Sequence, residues 1–401
     1  MRGFAHRTTV SDALGWLDAQ VKPLSVERIG LNKAMDRVLG EAVQSDVDVP
    51  AFDRAMMDGF AIRASDTAGA SIYNRLVLTV VGQSLPGRAF GGEVGSGQAV
   101  RIMTGAPMPR GSDAVLPAEK AQVEGDQVSA HGEVEPLKHV GRPGEDVAAR
   151  STVLSRGRCL RPQDLGVLSS IGVDRVPVVR RPQVRLVVTG NELLPPGTQP
   201  HGVHITDANS PMLAALVTRD GGETVHPGIV ADEPAAICDA MHDDVDVVLV
   251  SGGSSVGQED HAPSILAVHG ELAIHGVAMR PSSPAGMGRL GSRLVFLLPG
   301  NPVSCLCAYD FFAGRAIRGM GGRDRDWPYR QVCLPLVRKL VSTVGRVDYA
   351  RVRIRDGAVE PLAVSGASIL SSTTRADGFV IVDMDSEGFG PGTEVVVWLY
   401  D

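Results

Sequence analysis

Apolar residues recur along this 401-residue chain in three rhythms, and each predicts a different kind of structure. From Val10 to Val21, and again at Leu31, Met35, Val38 and Leu39, the spacing is helical, with Thr9 or Ser11 as a cap. The first fifty residues therefore read as helical. Asp48-Val49-Pro50-Ala51-Phe52-Asp53 stops that pattern, because a residue preceding proline leaves the helical region of backbone space. From Met56 to about Asp146, short apolar stretches at 76–81, 99–103 and 114–117 alternate with glycine-rich breaks such as 91–97. That is the pattern of an all-β module with tight turns. Residues 159–173 return to helical spacing, with Leu165, Leu168 and Ile171 on one face. A discontinuous helical domain (1–45 and 147–178) with an inserted β module (46–146) is expected.

Residues 184–320 carry the clearest pattern. Apolar strands at 184–189, 223–230, 245–250 and 294–298 alternate with helical stretches at 210–218, 234–242, 263–268 and 303–318. Such alternation predicts a parallel sheet covered on both faces, a three-layer doubly wound, mostly parallel α/β domain over 179–327 that begins after Arg180-Arg181-Pro182. Gly321-Gly322-Arg323-Asp324 reads as a linker. The strand-like tail, 328–401, suits a small C-terminal β-barrel. The fold class is multidomain, α/β plus β.

Composition changes the picture in a few places. With 43% hydrophobic and 21% charged residues the chain can bury several cores, which excludes a disordered protein. A net charge of −7 excludes a dedicated nucleic-acid binder, whose phosphate contacts need a basic face. No apolar run approaches the roughly 18 residues of a membrane span, and the segment after Arg2 and Arg7 lacks the apolar core of a signal peptide. The five scattered cysteines make no disulfide framework and are expected as buried small side chains in a reduced, cytoplasmic protein. Cys305 and Cys307, two apart, point to different faces of one helix. The histidines show no metal-binding helix pair, and His201 and His204 read as surface groups. No Gly-x-Ser-x-Gly elbow is present.

Three strand ends run into loops suited to chemistry: Thr189-Gly190-Asn191-Glu192, the glycine–serine run from Ser251 to Gly257, and Pro299-Gly300-Asn301-Pro302. Ligands of open parallel sheets bind beyond the carboxyl ends of the strands, so the three loops are expected to converge on one crevice. Glycine lets backbone N–H groups approach an anion, which makes Ser251, Gly252, Gly253, Ser254, Ser255 and Gly257 a candidate oxyanion or phosphate cradle. The run matches neither the dinucleotide fingerprint nor the Walker loop. Glu192, Asp207 and Asp260 punctuate the same loops, with Asp58 and Asp146 in the β module. Carboxylates beside a phosphate site suit a divalent cation. Each also suits a helix cap or a solvated loop, Asp207 most of all, ahead of Ala208-Asn209-Ser210-Pro211.

At this point the residues carry a family resemblance. The segment from Pro50 to Ala61, PAFDRAMMDGFA, resembles the PPFDNSAMDGYA signature of the molybdopterin molybdenumtransferases, and 100–107 matches their VRIMTGAP. Gly144-Glu145-Asp146, the Thr189-Gly190 loop, 251–260, 298–304 and 371–378 match in order, so the resemblance spans essentially the whole chain. The C-terminal domain of gephyrin is similar. The resemblance implies a homodimer of four-domain subunits that inserts molybdate into adenylylated molybdopterin, with Mg²⁺ and release of AMP. It implies a site shared between subunits, with Asp58, Thr104 and Asp146 from the β module of one. Glu192, Asp207, Asp260, Pro299 and Pro302 would come from the α/β domain of the other, with Glu192 and Asp260 as metal ligands. Arg280 and the loops at 189–190, 251–257 and 299–302 would hold the cofactor. A molybdopterin adenylyltransferase and recipient molybdoenzymes are the implied partners, with no nucleic acid and no membrane.

Three positions depart from the family pattern. Asn191 stands where TGDEL has aspartate, and Met279-Arg280-Pro281-Ser282-Ser283-Pro284 stands where the family reads MKPGKP. Arg280 replaces a compact ammonium by a planar fork, and Ser283 removes a positive charge where an oxyanion is expected. Arg289 and Arg293 are the candidates to replace it. The alternative implied by these departures is a catalytically weak paralogue acting as a molybdopterin-binding or scaffold protein. Adenylylation of molybdopterin, a third reading, suits an isolated α/β domain and fits this longer chain less well.

Overall fold

Side-chain alternation builds the central sheet. Along the strands Gln183–Thr189, Val247–Ser251 and Arg293–Leu298, the residues Val184, Leu186, Val247, Leu249, Leu294, Phe296 and Leu298 share one core, and Val187, Val248, Val250, Val295 and Leu297 share another. The first core also takes Leu213 and Val217 of the helix Asn209–Arg219 and Val303, Cys305 and Tyr309 of the helical run that starts at Pro302. The second takes Ile237 and Met241 of the helix Pro234–Met241 and Ala262, Ile265 and Leu266 of the helix His261–His269. Helices therefore cover both faces, as the alternation predicts.

The computed structural model describes residues 7–253, 261–363 and 366–400. In the central sheet, Glu223–Val225, Gln183–Thr189, Val247–Ser251 and Arg293–Leu298 are parallel neighbours in that order. Beyond them lie Gly286–Leu290 and Glu271–His275, both antiparallel to their neighbours, so the sheet is mixed where the spacing predicts a parallel one. The reason is local. Leu290 pairs with Arg293 across a two-residue turn, and Gly291 takes the positive φ of 62° that such a hairpin needs.

The chain divides into two compact units, one of residues 1–27, 36–40 and 178–401, the other of 28–35 and 41–177. In the first unit the helix Val10–Gln20 is capped by Thr9, whose hydroxyl accepts from Asp12 N at 3.1 Å, and its Val10, Ala13 and Leu17 join the sheet's first core. The helical reading of the first fifty residues fails beyond it. Val26–Gly30 and Val43–Gln44 are strands and Leu31–Lys33 is a single tight turn. Pro23, Gly30 and Gly40 interrupt the run, and Asp36 sits at φ 60°, outside helical space. Val38 and Leu39 are buried all the same, in extended backbone bridged to Val178. The unit ends in a sheet containing Gln331–Pro335, Val347–Arg355, Ala358–Ala363, Gly378–Val382 and Glu394–Leu399. The short strand Met279–Arg280 pairs with Val347 and Asp348 of that sheet, which fixes the segment carrying Arg280.

The second unit holds a sheet in the order Ala114–Pro117, Gly59–Ile62, Gln98–Ile102, Leu76–Ser84, Gln127–Ala130, Ala121–Glu124. It buries Phe60, Ile62, Leu78 and Leu116 on one side and Ala61, Val100, Ile102 and Val115 on the other. The helical spacing at 159–173 becomes the helix Pro162–Ser170. Of the five cysteines, only Cys305 and Cys307 are buried. Cys238 is half-buried, and Cys159 and Cys333 are exposed, against the expectation of five buried thiols. Among the described residues, no helix is long and apolar enough to cross a membrane.

Candidate functional site

Parallel strands ending side by side bring the predicted loops together in the first unit. Thr189, Glu192, Asp207, Asn209, Ser251, Gly252, Gly300, Asn301 and Pro302 line one cavity of about 500 Å³. Gly252 makes the close approach possible: it sits at φ 98°, and a Cβ there would stand 2.3 Å from the Thr189 carbonyl oxygen. A Cβ on Gly300 would lie 3.7 Å from the Gly252 Cα, so two of the loops run in backbone contact. Gly190 and Pro299 belong to the same strand ends, and Thr189, 3% exposed, donates its hydroxyl to Asp232 at 2.9 Å.

Asp207 serves as the cap that its sequence context suggests. Buried at 4% exposure, it accepts from Asn209 N at 2.9 Å and Ser210 N at 3.0 Å, and the Ser210 hydroxyl donates to its second oxygen. Asn209 is the residue that sequence reasoning passes over. Its side-chain amide donates to Ser251 Oγ at 2.9 Å and to the Gly300 carbonyl at 2.8 Å, joining two of the loops. The Gly300 carbonyl needs a donor, which fixes the amide's orientation. Asn209 Oδ1 is left buried with no hydrogen-bond partner, the state of an acceptor that a ligand donor or a cation would satisfy. Ser251, 1% exposed, stands 3.9 Å from the Cys305 sulfur, and burial pushes that thiol up to about 12, which leaves it inert. Glu192 is exposed at the rim. Gly253 is half-buried at the described end of its loop. Ser254, Ser255, Gly257 and Asp260 lie outside the described residues.

Asn301 also lines an adjoining cavity of about 400 Å³, together with Arg7, Arg280, Ser283, Pro299 and Arg346. Arg280 donates through Nε to the fully buried Asp348 at 3.1 Å and through its terminal nitrogen to the other oxygen. Arg346 donates to Asp348 at 3.1 Å, and the Ser342 hydroxyl donates to the same carboxylate at 2.8 Å. One buried carboxylate thus holds two guanidinium groups in place. Ser283 Oγ faces no partner. The candidates for restoring its lost charge are not there: Arg289 reaches Gln20 at 3.1 Å, and Arg293 reaches the carbonyl of Asp243 at 2.6 Å. Arg7 and Arg346 supply cations instead, from segments 276 and 63 positions away in the numbering, distances that no local pattern carries.

In the second unit Asp58 and Thr104 are joined directly. Asp58 Oδ1 accepts from Thr104 N and from Thr104 Oγ1, each at 2.7 Å, and the backbone bond, then the hydroxyl bond, hold the carboxyl below the usual carboxylate range. A Cβ on the adjoining Gly59 would stand 2.0 Å from the Leu116 carbonyl, and Gly105 turns at φ 82°, so glycine flanks both residues for backbone reasons. Asp146 is exposed on a loop tied back to Val49 through its backbone N–H at 3.1 Å.

Comparison with known proteins covers nearly the whole chain. Residues 8–172 match the MoeA N-terminal region (domain I and II), 185–318 a probable molybdopterin binding domain, and 334–400 the MoeA C-terminal region (domain IV). A protein of Mycobacterium tuberculosis described as molybdopterin molybdenumtransferase 2 is 34% identical, over 94% of this chain and 95% of its own. The molybdopterin molybdenumtransferase of Haemophilus influenzae is 30% identical over 94% of both. The crystal structure of the molybdopterin biosynthesis moeA protein of Pyrococcus horikoshii superposes with a TM-score of 0.84 at 30% identity, covering 99% of this chain and all of that one.

Proposed function

The chain belongs to the molybdopterin molybdenumtransferase family, and on that premise we propose that it inserts molybdenum from molybdate into adenylylated molybdopterin, with Mg²⁺ bound and AMP released. The observation that carries this reading is a pair of adjoining cavities, chemically different, that share Asn301 and serve as the two ends of one site. The end made by Thr189, Gly252 and Gly300 offers close backbone approach, which suits the phosphates of the adenylylated pterin. The end made by Arg7, Arg280 and Arg346 suits a tetrahedral dianion, because guanidinium forks donate in pairs to oxyanions. Asp348 orients two of the forks and offsets one charge, so Arg7 contributes the cation that Ser283 does not. With net charge −7, the protein holds its anions by these local donors and not by its overall field.

The donor set fits Mg²⁺, which takes oxygen ligands and keeps phosphate oxygens among them. Glu192 at the rim and the unpartnered Asn209 Oδ1 are the described oxygens that would hold it, while the oxygens of Asp207 are occupied by the helix start. When bound, the ion would offset phosphate charge and favour departure of AMP. Asp58, held ionised by Thr104, would remain a carboxylate at neutral pH. We propose that it acts with Thr104 and Asp146 on the crevice of a second copy in a homodimer. Supporting this, Phe52, Met56 and Met103 of the same loops are 47, 55 and 48% exposed, apolar surface that a partner would cover. A molybdopterin adenylyltransferase would supply the substrate and molybdoenzymes would receive the product.

The test is to mix the purified chain with adenylylated molybdopterin, Mg²⁺ and molybdate, then follow AMP and the reconstitution of a cofactor-free molybdoenzyme. Molybdate-dependent AMP release with reconstitution is expected, and Arg7→Gln should raise the molybdate needed for half-maximal turnover several-fold. Binding of the pterin without molybdate-dependent AMP release would overturn the assignment in favour of a scaffold.

A further inference from the structure

Away from the crevice, Cys238, His242 and His269 each place one ligand atom within 4.8 Å of the other two. The helix Pro234–Met241 carries Cys238 and has His242 as its C-cap, and the helix His261–His269 ends on His269. Both helices lie on the same face of the sheet, joined through Ile237, Met241, Ile265 and Leu266. Their C-terminal ends come together near the start of the strand Val247–Ser251, the opposite end from the crevice loops.

We propose that these three side chains form a site for a thiophilic divalent cation of the zinc class. The spacing is right. The three ligand atoms lie within 4.8 Å of one another, and a tetrahedral zinc with ordinary bond lengths needs a sulfur–nitrogen separation of about 3.5 Å, a closure within reach of partly exposed side chains. The His242 and His269 rings stand edge to face, centroids 5.9 Å apart, so a small rotation of an exposed side chain brings their nitrogens to one ion. A thiol with two imidazoles selects zinc over Mg²⁺ or Ca²⁺, which take oxygen. The fold supplies two further supports. Helix C-termini carry partial negative charge, and two of them end here. His242 Nδ1–H donates to the Cys238 carbonyl at 2.7 Å, which fixes the ring and leaves Nε2 as its metal-binding nitrogen. Arg293, bonded to this helix end, is occupied by the carbonyls of His242 at 3.1 Å and Asp243 at 2.6 Å, and the Asp243 carboxylate is paired with Arg185 at 2.9 Å. With three protein ligands, the fourth position is left to water, so the site would be open and exchangeable.

The spacing Cys-x-x-x-His puts the first two ligands one helical turn apart, a pair that an inspection for histidine pairs alone does not find. His269 comes from a second helix, and only packing brings it in.

The full-length protein, stripped with chelator, is titrated with Zn²⁺ by calorimetry and with Co²⁺ by absorption. One equivalent per chain is expected, with a thiolate-to-cobalt charge-transfer band in the near ultraviolet. Cys238→Ser should remove that band, and His269→Ala should weaken Zn²⁺ binding about tenfold or more. Zn²⁺ should raise the melting temperature of the unaltered protein and not that of Cys238→Ser. All three side chains are partly or fully exposed, so the variants should fold, and circular dichroism checks this. No binding at micromolar Zn²⁺, or a cobalt band that survives Cys238→Ser and is lost in Cys159→Ser or Cys333→Ser, would overturn the proposal.

Discussion

At the residue scale, the crevice depends on where a Cβ is forbidden. Gly252 is doubly constrained, by its φ of 98° and by the Thr189 carbonyl 2.3 Å from where a Cβ would be. Gly300 has ordinary space, its nearest neighbour 3.7 Å away. Gly252→Ala is therefore expected to cost about 2–3 kcal/mol through backbone strain and to lose most of the turnover as the loops part. Gly300→Ala should stay within about 0.5 kcal/mol. Denaturant unfolding and AMP release measured on both variants decide this, and equal behaviour of the two would show that loop contact is not what shapes the crevice. The sequence shows both glycines at strand ends, but not which of them meets a neighbouring backbone. That depends on a loop sixty residues away in the chain.

Single elements are more legible, and the helix Pro162–Ser170 shows how far. Pro162 at its first position is a sequence signal, yet the cap is made backwards, by the third-position Asp164 accepting from Arg161 N at 2.9 Å. Burial alone would push that carboxyl up. The Arg158 fork, at 3.0 and 2.8 Å, and the Arg161 N–H outweigh it and hold the pKa at about 2, against an ordinary 3.8. A carboxylate with a depressed native pKa stabilises the fold above its unfolded value, and that stability is lost as pH falls from about 4 to about 2. Asp164→Asn should thus lower stability by about 2 kcal/mol at pH 7 in urea unfolding. The gap to the unaltered protein should close near pH 2. A gap independent of pH would mean that the ionised carboxylate is not what holds the helix start.

For the whole molecule, the decisive prediction concerns copies and not residues. If Asp58 completes a partner's crevice, co-expressed Asp58→Ala and Glu192→Ala chains should recover about a quarter of full turnover, since half the dimers are mixed and each mixed dimer holds one intact site. No recovery, with each variant inactive alone, would place both residues in one chain's site. The sequence by itself determined the sheet strands, the helices on both of its faces and the loops at the strand ends, because periods of 2 and 3.6 and glycine–proline punctuation act within a few residues of the chain. It did not determine the antiparallel edge, the extended course after Gln20, the amide of Asn209 clamping two loops, Arg7 standing beside Arg280 and Arg346, or His269 meeting Cys238. Only the tertiary structure decided these. Each joins residues far apart in sequence at a distance of a few ångströms, and that distance is set by how sheet and helices pack, not by the local order of side chains.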